Sequence, residues 1–167
     1  VGMALAEKML AAQFNRDDHE IVDHHTYVFL GDGCLMEGLS HEAASLAGHL
    51  KLGNLIYLYD DNQITIDGST DLAFTEDRTK RFEAAGWHVS EVVDGNDLKA
   101  IEKAIKDAQK VKNKPSLIRV HTIIGFGMPK QGTSKAHSDA PGEEAVKETK
   151  RNLGMPEDKS FYVPKEV

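Results

Sequence analysis

The sequence predicts an α/β fold, a parallel sheet of βαβ units with helices on both faces, and three observations predict it. Four short apolar runs, at 26–30, 55–59, 87–93 and 117–123, have strand length and are rich in β-branched and aromatic residues. They are nearly continuous, unlike the in-out alternation of a sheet with one wet face. Helix-forming segments separate them, which is the order that right-handed βαβ crossovers produce.

Residues 2–13 are strong helix formers and set Leu5, Met9 and Ala12 on one side. A polar stretch, 15–25, ends that helix. The run 26–30 then reads as a buried strand stopping at Gly31-Asp32-Gly33. Helical spacing returns over 35–50, with Leu39, Ala43, Leu46 and Leu50 as its apolar stripe. The second strand, 55–59, is closed by Asp60-Asp61-Asn62. A polar loop around Ile66-Asp67-Gly68 leads to a helix over 76–85 and the third strand. Residues 97–111 are the clearest amphipathic helix, with Leu98, Ile101, Ile105 and Ala108 on one face. Pro115 precedes the fourth strand, a Gly-, Pro-, Lys- and Ser-rich loop fills 125–141, and a last helix is expected over 143–153.

Composition narrows the function. The 167 residues, 40% hydrophobic and 28% charged, suit one soluble domain covering 1–167. A net charge of −7 argues against nucleic acid as a partner, because phosphate backbones need clustered Lys and Arg. An anionic ligand must instead be held locally, by backbone N–H groups, a metal ion or a few placed side chains. Cys34 stands alone, which excludes an intrachain disulfide and points to a reducing, cytoplasmic compartment. No apolar run approaches the about 20 residues of a membrane helix, so no membrane association is expected. The Ala-rich start carries Glu7 and Lys8, unlike a signal peptide, and Val1 in place of Met leads us to expect a piece of a longer protein.

Open parallel sheets bind ligands beyond the carboxyl ends of their strands. Gly31-Asp32-Gly33 and Asp60-Asp61-Asn62 both fall there, and the 28 residues between Gly33 and Asn62 suffice for a helical return to a neighbouring strand. Gly33 lets a phosphate approach its backbone N–H, and a helix starting near Leu35 would point its positive end at that phosphate. Asp32 and Asn62 offer the hard oxygen ligands that Mg²⁺ or Ca²⁺ prefers, and phosphate oxygens and water would complete the shell. Taken singly, Gly-Asp-Gly is a common turn and Asp-Asn at a strand end a common Asx turn. Their order, spacing and strand–turn–helix setting together favour a metal-bridged diphosphate.

Gly-Asp-Gly, a gap near thirty residues and then Asn resembles the thiamine diphosphate motif. Within that superfamily the chain most resembles transketolase. The resemblance runs through Leu46-Ala47-Gly48, Lys51-Leu52-Gly53-Asn54, Tyr59-Asp60-Asp61-Asn62, Phe82-Glu83-Ala84-Ala85-Gly86-Trp87, Lys114-Pro115-Ser116-Leu117 and Thr122-Ile123-Ile124-Gly125-Phe126-Gly127. It implies a thiamine diphosphate-binding fold, with this chain as the C-terminal part of the diphosphate-binding domain. About 154–167 would then begin a linker to a pyrimidine-binding domain. It implies thiamine diphosphate with Mg²⁺, Ca²⁺ or another divalent cation. Asp32 and Asn62 would ligate the metal through side chains and Ile64 through its carbonyl, while Gly33 would donate to the diphosphate.

Glu37 matches a cofactor-site glutamate in the acidic network joining the two active sites of a homodimer; a first-turn Glu complementing the helix dipole would look the same. Asp60 resembles a residue steadying the metal-binding loop. His137 falls where the family places a catalytic histidine that touches cofactor and sugar and assists proton transfer at a substrate hydroxyl. The family reads His-Gly-Ala-Pro there; this chain reads His137-Ser138-Asp139-Ala140-Pro141, one residue longer, and Asp139 has the alternative of a local ion pair. The other histidines are read as structural or exposed, Cys34 as a small buried packing residue, and Lys130 and Lys135 as a solvated basic loop.

The implied activity is transfer of a two-carbon ketol unit from a ketose phosphate to an aldose phosphate in the pentose phosphate pathway. The family's pyrimidine-binding domain supplies an essential glutamate from the opposing subunit, so these 167 residues alone are expected to be inactive. A dihydroxyacetone synthase, a deoxyxylulose phosphate synthase and a 2-oxo acid dehydrogenase component share the motif. The Ile123-Ile124-Gly125-Phe126-Gly127 stretch favours transketolase among them. A subunit of a two-chain transketolase and a non-catalytic dimerisation fragment are further alternatives.

Overall fold

The computed structural model describes residues 1–167, which separate into two compact units. The first comprises Val1–Asn62 and Ala73–Thr122, the second Gln63–Leu72 and Ile123–Val167.

The first unit holds the expected parallel sheet. Its strands are β1 (Thr26–Gly31), β2 (Leu55–Asp61), β3 (His88–Val92) and β4 (Ser116–His121), in the order β1-β2-β4-β3 and all parallel. Helix α1 is Gly2–Phe14, α2 is Asp32–Met36, α3 is Gly38–His49, α4 is Arg78–Ala84 and α5 is Leu98–Gln109. Alternation along β2 divides the core. Leu55 and Tyr59 pack with Ala44, Ala47, Phe82, Trp87 and Leu117 on one side. Ile56 and Leu58 pack with Ile118, Val120 and Ala108 of α5 on the other. Asp77 and Asp97 start α4 and α5 by accepting backbone N–H bonds, from Lys80 and from Lys99 and Ala100.

Several expected faces are corrected. The expected helix over 35–50 is two helices, because Glu37 is extended and interrupts the hydrogen-bond ladder between α2 and α3. Leu39 and Leu46 of its expected stripe are exposed; Ala44 and Ala47 are buried instead. Small residues win because the backbones approach closely: a Cβ on Gly48 would lie 1.7 Å from the Ala85 carbonyl oxygen. Helix α1 likewise buries Ala4 and Glu7 and leaves Met9 and Ala12 exposed. On α5, Leu98 is exposed, at the N-terminal end before the helix meets the sheet. Strand β1 is buried on one side only, with Phe29 82% exposed, because α5 packs on β2, β3 and β4.

Trp87 precedes β3 and stacks obliquely on Tyr57 at 4.6 Å and edge-on against Phe82 at 5.0 Å, while its indole N–H donates to the Ala44 carbonyl at 2.8 Å. Packing these three aromatics together, Phe82 and Trp87 buried, with the indole proton satisfied, ties α3 and α4 to the sheet.

In the second unit, a turn joins Thr65 N–H to the Gly68 carbonyl at 2.7 Å and precedes a short 3₁₀ turn, Thr70–Leu72. The loop expected over 125–141 contains a one-turn helix, α6 (Lys135–Ser138), and α7 spans Glu143–Asn152. Asn152 donates to the Gly127 carbonyl at 2.8 Å, tying the end of α7 to that loop.

Candidate functional site

The β1–β2 register pairs Leu30 with Tyr59 and Gly31 with Asp60. Asp32 therefore leaves the tip of β1 beside the tip of β2, one strand spacing (about 4.8 Å) away, and Asn62 follows β2 directly. Asp32 is buried, at 2% exposure. Gly33 is exposed in the first turn of α2, and a Cβ there would meet nothing within 4 Å. Its backbone is thus open to approach. Cys34 is also exposed, which corrects the buried packing role expected of it; the short α2 turns its buried side through Asp32 and Leu35.

The Asp32 carboxylate belongs to a buried polar cluster. The Tyr59 hydroxyl donates to Asp32 Oδ1 and lies 3.2 Å from Asp61 Oδ1. Arg78, at the start of α4, donates its Nε–H to the Tyr59 oxygen at 3.1 Å and an Nη2–H to Asp61 Oδ1 at 3.1 Å. That same Nη2 is 3.9 Å from Asp32 Oδ1. Asp61 is 1% exposed and also meets Arg119 Nε at 2.7 Å and His121 Nδ1 at 2.9 Å through Oδ2. Glu91 stands behind both, 3.5 Å from Arg119 and 2.5 Å from His121. Burial, the hydrogen bond to Asp32 and the nearby carboxylates push the Tyr59 hydroxyl well above its ordinary pKa, so it remains a donor.

At the tip of β2, Asn62 donates to Asp60 Oδ1 at 3.4 Å, and Thr122 Oγ1 donates to the same oxygen. Asp60 thus ties the residue after β2 to the end of β4. Glu37 is exposed at the break between α2 and α3, where its carbonyl accepts from Ser40 N–H at 3.0 Å and Ser40 Oγ at 2.7 Å. It precedes α3 as its cap residue and is not in the first turn.

Ile64 and His137 belong to the second unit. Ile64 bridges to Ser69 in the turn after β2. His137 is exposed on α6, and its N–H donates to the Ser134 carbonyl at 3.0 Å. Asp139 forms the local ion pair named as its alternative, with Lys130 at 3.4 Å.

No three His, Cys, Asp or Glu side chains converge to hold a metal by themselves. Asp32 and Asn62, one carboxylate and one amide, suit a hard cation that takes the rest of its shell from phosphate and water. The open backbone at Gly33 fits the diphosphate. Sequence reasoning missed Tyr59, Asp61 and Arg78. The signal for Asp61 was present: it follows Tyr59 by two, so the strand period turns both to the same side.

The model of the thiamine diphosphate binding domain of transketolase matches residues 1–167. The chain is 60% identical over 169 residues to a transketolase of Nostoc sp., covering all of this chain and 25% of that protein. It is 57% identical over 168 residues to transketolase 2 of Escherichia coli, with the same coverage. Among solved structures, it is similar to the Pichia stipitis transketolase complex with sedoheptulose 7-phosphate, with a TM-score of 0.96 and 54% identity. The Leishmania mexicana transketolase gives a TM-score of 0.97 at 49% identity; in both cases 99% of this chain and 25% of the other are covered. The chain thus spans about a quarter of the length of the curated relatives it matches.

Proposed function

This chain belongs to the transketolase family, and from that premise we propose that it forms the metal and diphosphate site of a transketolase moving two-carbon ketol units between sugar phosphates. The observation that carries the reading is the pairing of β1 with β2, which sets the buried Asp32 beside the strand tip that Asn62 follows. Asp32 and Asn62, with the Ile64 carbonyl, would hold Mg²⁺ or Ca²⁺, and the Gly33 N–H would hold the diphosphate. Thiamine diphosphate, when bound, supplies the electron sink for cleaving and remaking the carbon–carbon bond. His137 would exchange a proton with a substrate hydroxyl, a task imidazole performs near neutral pH. Glu37 would join the acidic contact between active sites of a homodimer. Exposed Leu39 and Leu46, seven residues apart on α3, support an apolar partner surface of that kind. The sugar phosphate bound by the Pichia stipitis relative supports the substrate class. By the same proposal the reaction belongs to the pentose phosphate pathway of the cytoplasm.

The test is Asp32→Ala in the full-length enzyme. Mg²⁺-dependent binding of thiamine diphosphate, measured by calorimetry, should weaken at least about 100-fold, the upper range for disturbing a metal site. Unchanged affinity would remove the reading. The 167 residues alone should show no ketol transfer.

A further inference from the structure

The buried cluster behind Asp32 contains two carboxylates of the same kind, yet the structure treats them differently. Asp61 collects two guanidinium groups and an imidazole: Arg78 at 3.1 Å, Arg119 at 2.7 Å and His121 at 2.9 Å. Asp32 receives a neutral donor, the Tyr59 hydroxyl, and stands 3.9 Å from Arg78. Proton bookkeeping explains the division. Arg78 has no acceptor, so its Nε–H occupies a lone pair of the Tyr59 oxygen. The single phenolic proton must then point at a carboxylate, and Asp61 is already supplied with charged donors. It goes to Asp32.

This arrangement suits a metal ligand. A direct Arg–carboxylate fork would neutralise Asp32 and place a fixed positive charge against any incoming cation. A phenol fixes the orientation of the carboxylate and leaves its charge intact. We propose that Tyr59 is a positioning residue for metal binding: held by the Arg78–Asp61 pair, its hydroxyl fixes the Asp32 carboxylate in the orientation that ligates the cation. The inference rests on the reading of Asp32 as a metal ligand. Arg78 reaches Asp32 through Tyr59 and, from 3.9 Å, directly, while Asp61 holds Arg78 and lies 3.2 Å from the Tyr59 oxygen; Tyr59 makes the closest contact with Asp32, so the order of influence on the metal is Tyr59, then Arg78.

Tyr59→Phe in the full-length enzyme removes one oxygen and keeps the ring. With thiamine diphosphate present, calorimetric titration should show the Mg²⁺ concentration at half-saturation rising about tenfold, the lower range for losing a hydrogen bond to a ligating carboxylate. Excess Mg²⁺ should restore cofactor affinity, a rescue that a purely structural defect would not show. Half-saturation within twofold of the parent, or a loss that excess Mg²⁺ does not rescue, overturns the proposal. Should Tyr59→Phe lack a cooperative melt, Arg78→Lys carries the same titration. A single ammonium cannot serve both Tyr59 and Asp61 in place of the fork, so a rise of about threefold is expected and no rise overturns the proposal. Asp32→Ala run in parallel separates the two ideas. If it keeps Mg²⁺-dependent cofactor binding, the metal-ligand reading fails and the proposal with it. If it loses that binding while Tyr59→Phe does not, only the positioning role fails.

Discussion

The cluster around Asp61 and the loop around His137 place candidate functional groups in opposite ways. Asp61 lies on a strand and is held by side chains from α4 and β4, 17 and 58 residues away along the chain. His137 lies on a single helical turn, exposed, with its backbone tied only three residues back. In the first case the sheet fixes the geometry, so stability and the proposed chemistry would depend on the same residues. In the second the group is held by local turns, and its chemistry can be removed without touching a core. Mutations should therefore separate the two regions by what they damage.

The largest effect is expected at Asp61. Asp61→Ala leaves Arg78, Arg119 and His121 facing one another with no carboxylate between them, and Arg78 is itself largely buried. Breaking one side of a buried charge cluster costs roughly 3–5 kcal/mol. The urea midpoint should fall accordingly, with the slope unchanged. A loss below about 1 kcal/mol, the level of a surface pair, would break the contrast by showing that the cluster is solvated.

How much of this was legible in the sequence follows the same division. The four strands were readable because continuous apolar runs of strand length leave little choice of conformation. Asp32 and Asn62 could be proposed from the sequence because metal ligation would demand particular residue types at particular distances along the chain. Tyr59 and Asp61 were hidden: the first passed as one more apolar strand residue, the second as part of a polar turn. Arg78 sits at the start of a helix, where sequence offers no hint that it will meet β2. The buried faces of α1 and α3 were misjudged for a related reason. Hydrophobicity ranks Leu39 and Leu46 above Ala44 and Ala47, but close backbone approach at Gly48 admits only small side chains. Such preferences arise from the partner surface, not from the helix.

His137→Ala should show the reverse pattern. An exposed side chain on a one-turn helix contributes at most about 0.5 kcal/mol to stability, so the melting temperature should hardly move. In the full-length enzyme, ketol transfer should nevertheless fall about 100-fold, the lower range for losing a general acid–base group. A melting temperature lowered by several degrees would place His137 with Asp61 among the structural residues. Unchanged turnover would remove the proton-transfer role proposed for it.

The smallest effect sharpens the contrast, because it uses the same kinds of charge without burial or long range. On α5, Asp107 pairs with Lys103 at 2.8 Å and Lys110 at 2.7 Å, all within two helical turns. Hydrogen bonds from Lys103 and then Lys110, with their charges, lower its pKa from 3.8 to about 2. A depressed folded-state pKa stabilises the protein above the unfolded value, and that contribution disappears as pH falls through about 2. Asp107→Asn should therefore lower the urea midpoint slightly and evenly from about pH 6 to pH 5, and the two curves should converge between about pH 4 and pH 2. Adding salt should shrink the difference at the upper end, since exposed pairs are screened. If Asp107→Asn costs as much as Asp61→Ala, or its effect persists unchanged in high salt, then range and burial are not what distinguishes the two kinds of site.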